Sequence, residues 1–379
     1  MHCLGLMSGT SADGVDAVLA CFDGPAQRPQ WSLLRHHHQP YPPQLQQQVV
    51  AAGQGEAMPA SLLLELAETI TEAQANAVMA CDPEGKAEVI GCHGQTVWHR
   101  PPAQETRGSS WQMLQAPLLA HLLQRPVIHD FRAADLVLGG QGAPLVPRAD
   151  AALLGSTEGW RALLNLGGIA NLTLIPPCSG VDRHASVLGW DCGPANSLID
   201  LGIRHFTAGA KSFDKGGAMA AQGQADEVRI QLWLQEEYFQ MAPPKSTGRE
   251  CFGREDLNRR LDQLDGASEA DTIATLTAFS AAIVAQDLDH LRQTRGIAPI
   301  ELITAGGGSQ NPVLINELRR RCRGAQVDES STLGVPAEAR EALVFALLAW
   351  WHERNHPGNV PAVTGASRET VLGVRVNPA

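Results

Sequence analysis

Residues 4–19 read LGLMSGTSADGVDAVL and residues 163–175 read LLNLGGIANLTLI. Each is an apolar run that breaks at a turn of small and polar residues and then resumes. In the first, Cys3 to Met7 reads as a strand, Ser8-Gly9-Thr10-Ser11 as the turn and Val15 to Cys21 as the returning strand. In the second, Ala162 to Leu166 and Ile169 to Ile175 are the strands and Gly167-Gly168 is the turn. A hairpin with a polar tip that occurs twice in one chain is what two related domains facing one cleft would produce.

Working outward, Leu and Ala recur at helical spacing over 61–80, the short apolar run Glu88 to Cys92 reads as a strand, and His93 to Gln95 as a loop. The spacing predicts a long helix from about Asp271 to His290, a strand Ile300 to Ala305, a turn at Gly306 to Gly308 and a helix Pro312 to Arg321. Residues 337–352 are again helical in period, and Thr370 to Val376 alternates like a last strand that returns to the first domain. Strand, polar turn and helix in alternation predict an α/β fold with mixed sheets between layers of helices. Boundaries at 1–140 plus 358–379 for the first domain and 141–357 for the second follow from the Gly-rich crossing at Leu138 to Pro147 and from the tail.

A chain of 379 residues, 44% of them hydrophobic, exceeds what one core usually serves, which independently favours two domains. The net charge of -11, with few Lys or Arg runs, argues against a nucleic-acid partner, so any phosphate must be bound locally by backbone N–H groups, helix N-termini or single cations. The 8 cysteines stand singly without a C-x-x-C pair, as in a reduced cytoplasmic protein. The N-terminus has no basic segment followed by a long apolar one, and no stretch is apolar for the roughly 20 residues a membrane span needs.

Several turns carry chemistry. The tip Gly9, Thr10, Ser11, Ala12, Asp13, Gly14, continuing into Val15 and Asp16, lets backbone N–H groups approach a polyphosphate, although the same residues make ordinary turns. No G-x-x-x-x-G-K-[ST] occurs, which argues against a P-loop enzyme. Asn165 with Gly167 and Gly168 forms a second such turn, and Gly306, Gly307 and Gly308 with Asn311 a third at the head of a helix, where a nucleoside can lie against backbone. Asp191, in Gly189-Trp190-Asp191-Cys192-Gly193-Pro194, is either a helix cap or a general base facing a cleft. The donors of 245–250, the stretch His93 to Pro101 and Asp130-Phe131-Arg132 with Asp135 suit a carbohydrate, and a His93/His99 metal pair lacks a third ligand at suitable spacing. The short runs His36 to His38 and Gln46 to Gln48 read as solvated surface.

These residues resemble the anhydro-N-acetylmuramic acid kinases of the sugar kinase and actin-like ATPase superfamily. The likeness runs from GLMSGTS (5–11) through HGQTVWHRP (93–101), DFRAADLVLGGQGAPLVP (130–147), LNLGGIANLT (164–173), GWDCGPANSLID (189–200), PPKSTGRE (243–250) and TAGGGSQNP (304–312) to EAREAL (338–343). It implies two actin-like (ribonuclease H-like) domains with the active site in the cleft between them. ATP would lie there, its phosphates near 9–16 and Gly167-Gly168 and its adenosine near 306–308, with Mg²⁺ as the metal. The family reaction opens the 1,6-anhydro ring of the sugar hydrolytically and phosphorylates O6. The product is N-acetylmuramic acid 6-phosphate, in recycling of peptidoglycan. Asp191 matches the catalytic base, and His93, Arg132 and Glu338 are the candidates for holding the sugar. A cytoplasmic homodimer is the family expectation. Ala12, Cys192 and Ala195 stand where Leu, Thr and Gly are expected, and a thiol beside the base would not reproduce a hydroxyl's hydrogen bond.

Two rival functions are compatible with the residues. One is a kinase of an ordinary hexose or amino sugar, with Asp191 deprotonating a sugar hydroxyl. The other is a nucleotide-gated binding module of the actin-like class, which would turn over ATP without any sugar.

Overall fold

The computed structural model describes the chain except residues 10, 11, 105, 157, 178, 244 and 248–250, and at 184 and 337 the backbone only. Contacts divide it into two compact units, Met1–Leu154 with Gly334–Ala379, and Gly155–Leu333. The first unit is larger than the sequence suggested. Residues 146–154 and 340–353, expected in the second domain, form helices Val146–Leu154 and Arg340–Glu353 that belong to it, because Arg340–Glu353 packs on the sheet of this unit and its buried Arg340 guanidinium grips the buried Asp150 carboxylate through Nε (3.0 Å to Oδ1) and Nη2.

In the first unit, β1 (His2–Ser8), β2 (Gly14–Asp23) and β3 (Gln30–Pro40) form an antiparallel meander, and β4 (Val89–Arg100) and then β6 (Val127–His129) add in parallel on the other side of β1. The strand β5 (Ser109–Met113) pairs with the outer half of β4, and a closing strand Val374–Val376 runs antiparallel to β6. The chain end therefore does return to the first unit. The segment His93 to Gln95 is strand rather than loop, since pairing of Gln95–Arg100 with β5 keeps it extended, and Gly94 at φ 77 marks the irregularity.

Successive strand residues face opposite ways, so Leu4 and Leu6 turn to the core beneath helix Ala60–Cys81 while Gly5 faces helix Arg340–Glu353. The middle of that second helix, Ala342 to Trp351, is buried on every side, as a helix segment that is apolar all round must be. It lies so close that a Cβ on Gly5 would stand 1.9 Å from the Ala342 carbonyl oxygen, and one on Gly91 2.1 Å from that of Phe345. Only glycine admits this approach.

In the second unit, β7 (Arg161–Leu166), β8 (Ile169–Ile175) and β9 (Leu188–Pro194) form the meander, and β10 (Glu301–Ala305) and β11 (Gln326–Glu329) add in parallel beside β7. Strand order and direction repeat those of the first unit, so the hairpin echo in the sequence reflects two copies of one ribonuclease H-like plan. The core of this unit gathers around helix Glu269–Arg295, which starts on Ser268, whose Oγ accepts from the Asp271 N–H at 3.1 Å, and stops at Gly296, φ 65. Among the described residues no helix is long and apolar enough to cross a membrane.

Candidate active site

In the first unit the candidate residues begin at the turn after β1. The Ser8 hydroxyl lies 2.5 Å from Gln95 Oε1, 2.8 Å from the Gly14 carbonyl and 3.1 Å from the Tyr41 hydroxyl, while Gln95 Nε2 donates to the Gly9 carbonyl at 3.0 Å. Burial pushes the Tyr41 phenol up to about 12, so it stays protonated. This brace fixes the turn from below. Thr10 and Ser11 lie outside the described residues; Asp13 is exposed, and Ala12 and Val15 bury their side chains, leaving only their backbone for a ligand. Ala12 takes φ 51, a left-handed conformation that non-glycine residues adopt at a cost of about 1–3 kcal/mol. The Asp16 carboxylate lies 3.0 Å from His36 Nε2 and 3.1 Å from His38 Nδ1, two residues of the surface histidine run.

Further along the same unit His93 and Arg132 meet. Arg132 Nη2 donates to His93 Nε2 at 2.9 Å, and a guanidinium has no acceptor, so the imidazole must carry its proton on Nδ1, which donates to the Gly94 carbonyl at 2.9 Å. Burial, and then the Arg132 charge, hold His93 well below its ordinary range and hence neutral. Burial lowers Arg132 to about 10, still charged at neutral pH. Its buried Nε has no hydrogen-bond partner among the described residues. The Phe345 ring lies tilted against those of His93 and Phe131, with centroids 4.7 and 5.3 Å away, tying this pair to the helix that Glu338 precedes; Glu338 itself is exposed in the turn Ala337–Ala339. Asp135 is no sugar ligand. It is fully buried and accepts from Gly142 N–H (2.9 Å), Asn359 Nδ2 (2.9 Å) and Thr364 Oγ1 (2.7 Å), holding the Gly-rich crossing to the C-terminal segment.

In the second unit the candidate residues are the glycine turns and Asp191. The carbonyls of Gly167 and Gly168 accept from the N–H groups of Ala195, Asn196 and Ser197, so this turn, with the Asn196 side chain on the Leu166 and Gly167 carbonyls, already closes the head of helix Asn196–Phe206. At the third turn Gly306 has φ 81 and Gly308 packs tightly on Leu166, whereas a Cβ on Gly307 would meet none of the described residues within 4 Å. The Asn311 side chain caps helix Pro312–Arg321, its Oδ1 accepting from Val313 N at 3.0 Å and Leu314 N at 3.3 Å.

Asp191 caps nothing. It lies within β9, opposite Asn171 of β8, whose Nδ2 donates to Asp191 Oδ1 at 2.8 Å. Its Oδ2 accepts from Ser246 Oγ at 2.9 Å and Thr247 N at 3.1 Å, so a carboxylate is aimed and held on two sides. Lys245, expected among the ligand donors, is instead buried and pairs with Asp287 at 2.8 Å. Gly248, Arg249 and Glu250 lie outside the described residues.

A family model for anhydro-N-acetylmuramic acid kinase matches residues 1–378. The chain belongs to that family. It is 85% identical over the full length of both chains to an anhydro-N-acetylmuramic acid kinase of Synechococcus sp. strain CC9605, and 67% identical, again over both full lengths, to that of strain CC9902. Solved structures are far more remote: a xylulose kinase from Rhodospirillum rubrum aligns with 100% of this chain and 94% of its own at 11% identity and a TM-score of 0.45. Membership in the anhydro-N-acetylmuramic acid kinase family makes the chain an ATP-dependent kinase. Within that family frame the Cys192 departure changes meaning. Cys192 lies in the core, completely buried beside Asp287, and the Asp191 carboxylate takes its hydrogen bonds from Asn171, Ser246 and Thr247 instead. Asn171, Ser246 and Thr247 escaped the sequence reading as partners of Asp191, because strand register and the path of the 245–247 loop are long-range features; the only local signal was the density of donors there.

Proposed function

We propose that this kinase opens the 1,6-anhydro bridge of anhydro-N-acetylmuramic acid with water and transfers the γ-phosphoryl group of ATP to O6, in the cytoplasm and as a homodimer, within peptidoglycan recycling. The observation that carries the reading is the Asp191 carboxylate, held by Asn171, Ser246 and Thr247 in a strand flanked by small-residue turns. In this reading Asp191 takes a proton from water as the oxygen attacks the anomeric carbon. The bond from that carbon to O6 breaks, O6 attacks the γ-phosphorus, and ADP leaves. Phosphoryl transfer needs alignment and charge neutralisation more than covalent help. The backbone of 9–16, of Asn165, Gly167 and Gly168, and of Gly306 to Gly308 supplies alignment for ATP, with the Asn311 cap fixing the helix that follows.

Mg²⁺ that accompanies ATP is bound through waters, phosphates and one or two carboxylates rather than by a protein cage. Among the described residues no group of three or more His, Cys, Asp or Glu side chains could hold a metal ion, and Asp13 and Asp16 are the carboxylates that the turn and the strand after it offer. When bound, the ion neutralises charge on the transferring phosphoryl group. Arg132, with a buried donor that lacks an acceptor among the described residues, suits the carboxylate that the muramic acid carries, and His93 orients it; Glu338 is the third sugar-holding residue.

A coupled ADP assay tests the substrate. ADP release that needs anhydro-N-acetylmuramic acid supports the reading. Release with N-acetylmuramic acid or glucosamine derivatives alone would favour an ordinary amino-sugar kinase, and sugar-independent release a nucleotide-gated module.

A further inference from the structure

Behind β9, three residues converge on one carboxylate. Trp190, just before Asp191, donates its indole N–H to Asp287 Oδ2 at 2.8 Å. Cys192, just after it, is completely buried beside the same carboxylate. Lys245, just before Ser246, brings its ammonium to Asp287 Oδ1 at 2.8 Å, and its own carbonyl accepts from the Asp191 N–H at 2.9 Å. The Lys245 side chain is 0% and that of Asp287 3% exposed. Tyr238 completes the enclosure, its hydroxyl donating to the Asp191 carbonyl at 2.7 Å and its ring 5.2 Å from the Lys245 ammonium.

Taking both charges of an ion pair out of water costs more than their attraction commonly returns, and a well-packed apolar pair is often as stable. Fold stability alone therefore gives little reason for this pair. Its placement gives one. Side chains alternate along a strand, so anchoring residues 190 and 192 on the core side fixes the direction of 191 on the other. Anchoring Lys245 fixes the loop that carries the two donors to Asp191 Oδ2.

We propose that Asp287 of helix Glu269–Arg295 is a positioning residue for the reaction: through Trp190, Cys192 and Lys245 it sets the aim of the Asp191 carboxylate without touching substrate. The proposal rests on Asp191 being the base. A carboxylate free to swing remains a carboxylate, so the loss falls on the step in which it takes the proton and not on binding of ATP or sugar.

The test compares Asp287→Asn, the apolar pair Lys245→Met with Asp287→Leu, and Asp191→Asn in the full-length enzyme. For each, kcat, both KM values, the solvent deuterium isotope effect on kcat and the thermal midpoint are measured. The expected result is a fall in kcat of roughly 10–100-fold, the size seen when a supporting partner of a reactive group is removed. Both KM values stay within about threefold, and the isotope effect rises as proton transfer becomes slower. The apolar pair guards against misfolding, because it leaves no unpaired buried charge, and it must show this pattern with a wild-type midpoint. A folded apolar pair with wild-type kcat and isotope effect overturns the proposal. So does one that loses activity only through a raised KM. If Asp191→Asn is inactive while the apolar pair is unimpaired, only this inference falls; if Asp191→Asn is itself active, the assignment of the base falls with it.

Discussion

Replacing Asp191 by Asn keeps the shape that Asn171, Ser246 and Thr247 enclose but removes the proton acceptor, so kcat is expected to drop by about 10²–10⁴-fold, the usual contribution of a general base. Steady-state assays reading within a few fold of the parent would show the role misassigned. At His93 the consequence is one of stability. The folded protein keeps it neutral well below its ordinary value near 6.5, whereas the unfolded chain binds a proton there. Stability is therefore full above pH 6.5 and declines as pH falls, by up to about 1.4 kcal/mol per pH unit. Urea unfolding between pH 7 and 5 should show a steeper loss for the parent than for His93→Gln, whose amide oxygen can still accept from Arg132; equal slopes would contradict the burial argument. At this scale the sequence pointed to Asp191, His93 and Arg132 through their motifs but not to their partners. Nothing local says that Arg132 will meet His93, or that Cys192 turns inward.

At the scale of elements, the closest approach in the first unit is that of helix Arg340–Glu353 to β1 and β4 across Gly5 and Gly91. Gly91→Ala would push a methyl to 2.1 Å from the Phe345 carbonyl oxygen, and overpacking of that kind is expected to lower unfolding stability by about 2 kcal/mol or more in denaturant titrations. A loss under about 0.5 kcal/mol would mean that the helix can move away at little cost. Gly307 is the opposite case. Space around it is open, so Gly307→Ala should leave stability unchanged while raising the KM for ATP severalfold if the nucleoside lies on that backbone; an unaltered KM would remove this turn from the nucleotide site. Elements with a strong local signal were legible: Pro312–Arg321 matches its expected bounds, and Glu269–Arg295 extends its expected range only to the Ser268 cap and the Gly296 stop. The strands β5 and β6 were not, because short segments are set by the strands they pair with rather than by their own period.

For the molecule as a whole, repetition is the principle: each unit builds a three-strand meander and adds two parallel strands beside its first, and both hairpin turns end at the small residues expected to meet phosphate. The repeat was visible in the two hairpins. The division between units was visible only approximately, because Val146–Leu154 and Arg340–Glu353 are placed by a buried Arg340–Asp150 pair joining distant parts of the chain. The kinase class follows from family membership, and the central claim beyond it is that water, directed by Asp191, opens the sugar in the same reaction that phosphorylates it. The direct measurement is mass spectrometry of the sugar phosphate formed from anhydro-N-acetylmuramic acid and ATP in ¹⁸O-enriched water. One heavy oxygen at the anomeric position, with none in the phosphoryl group, is the predicted result; a product whose anomeric oxygen is unlabelled would contradict it.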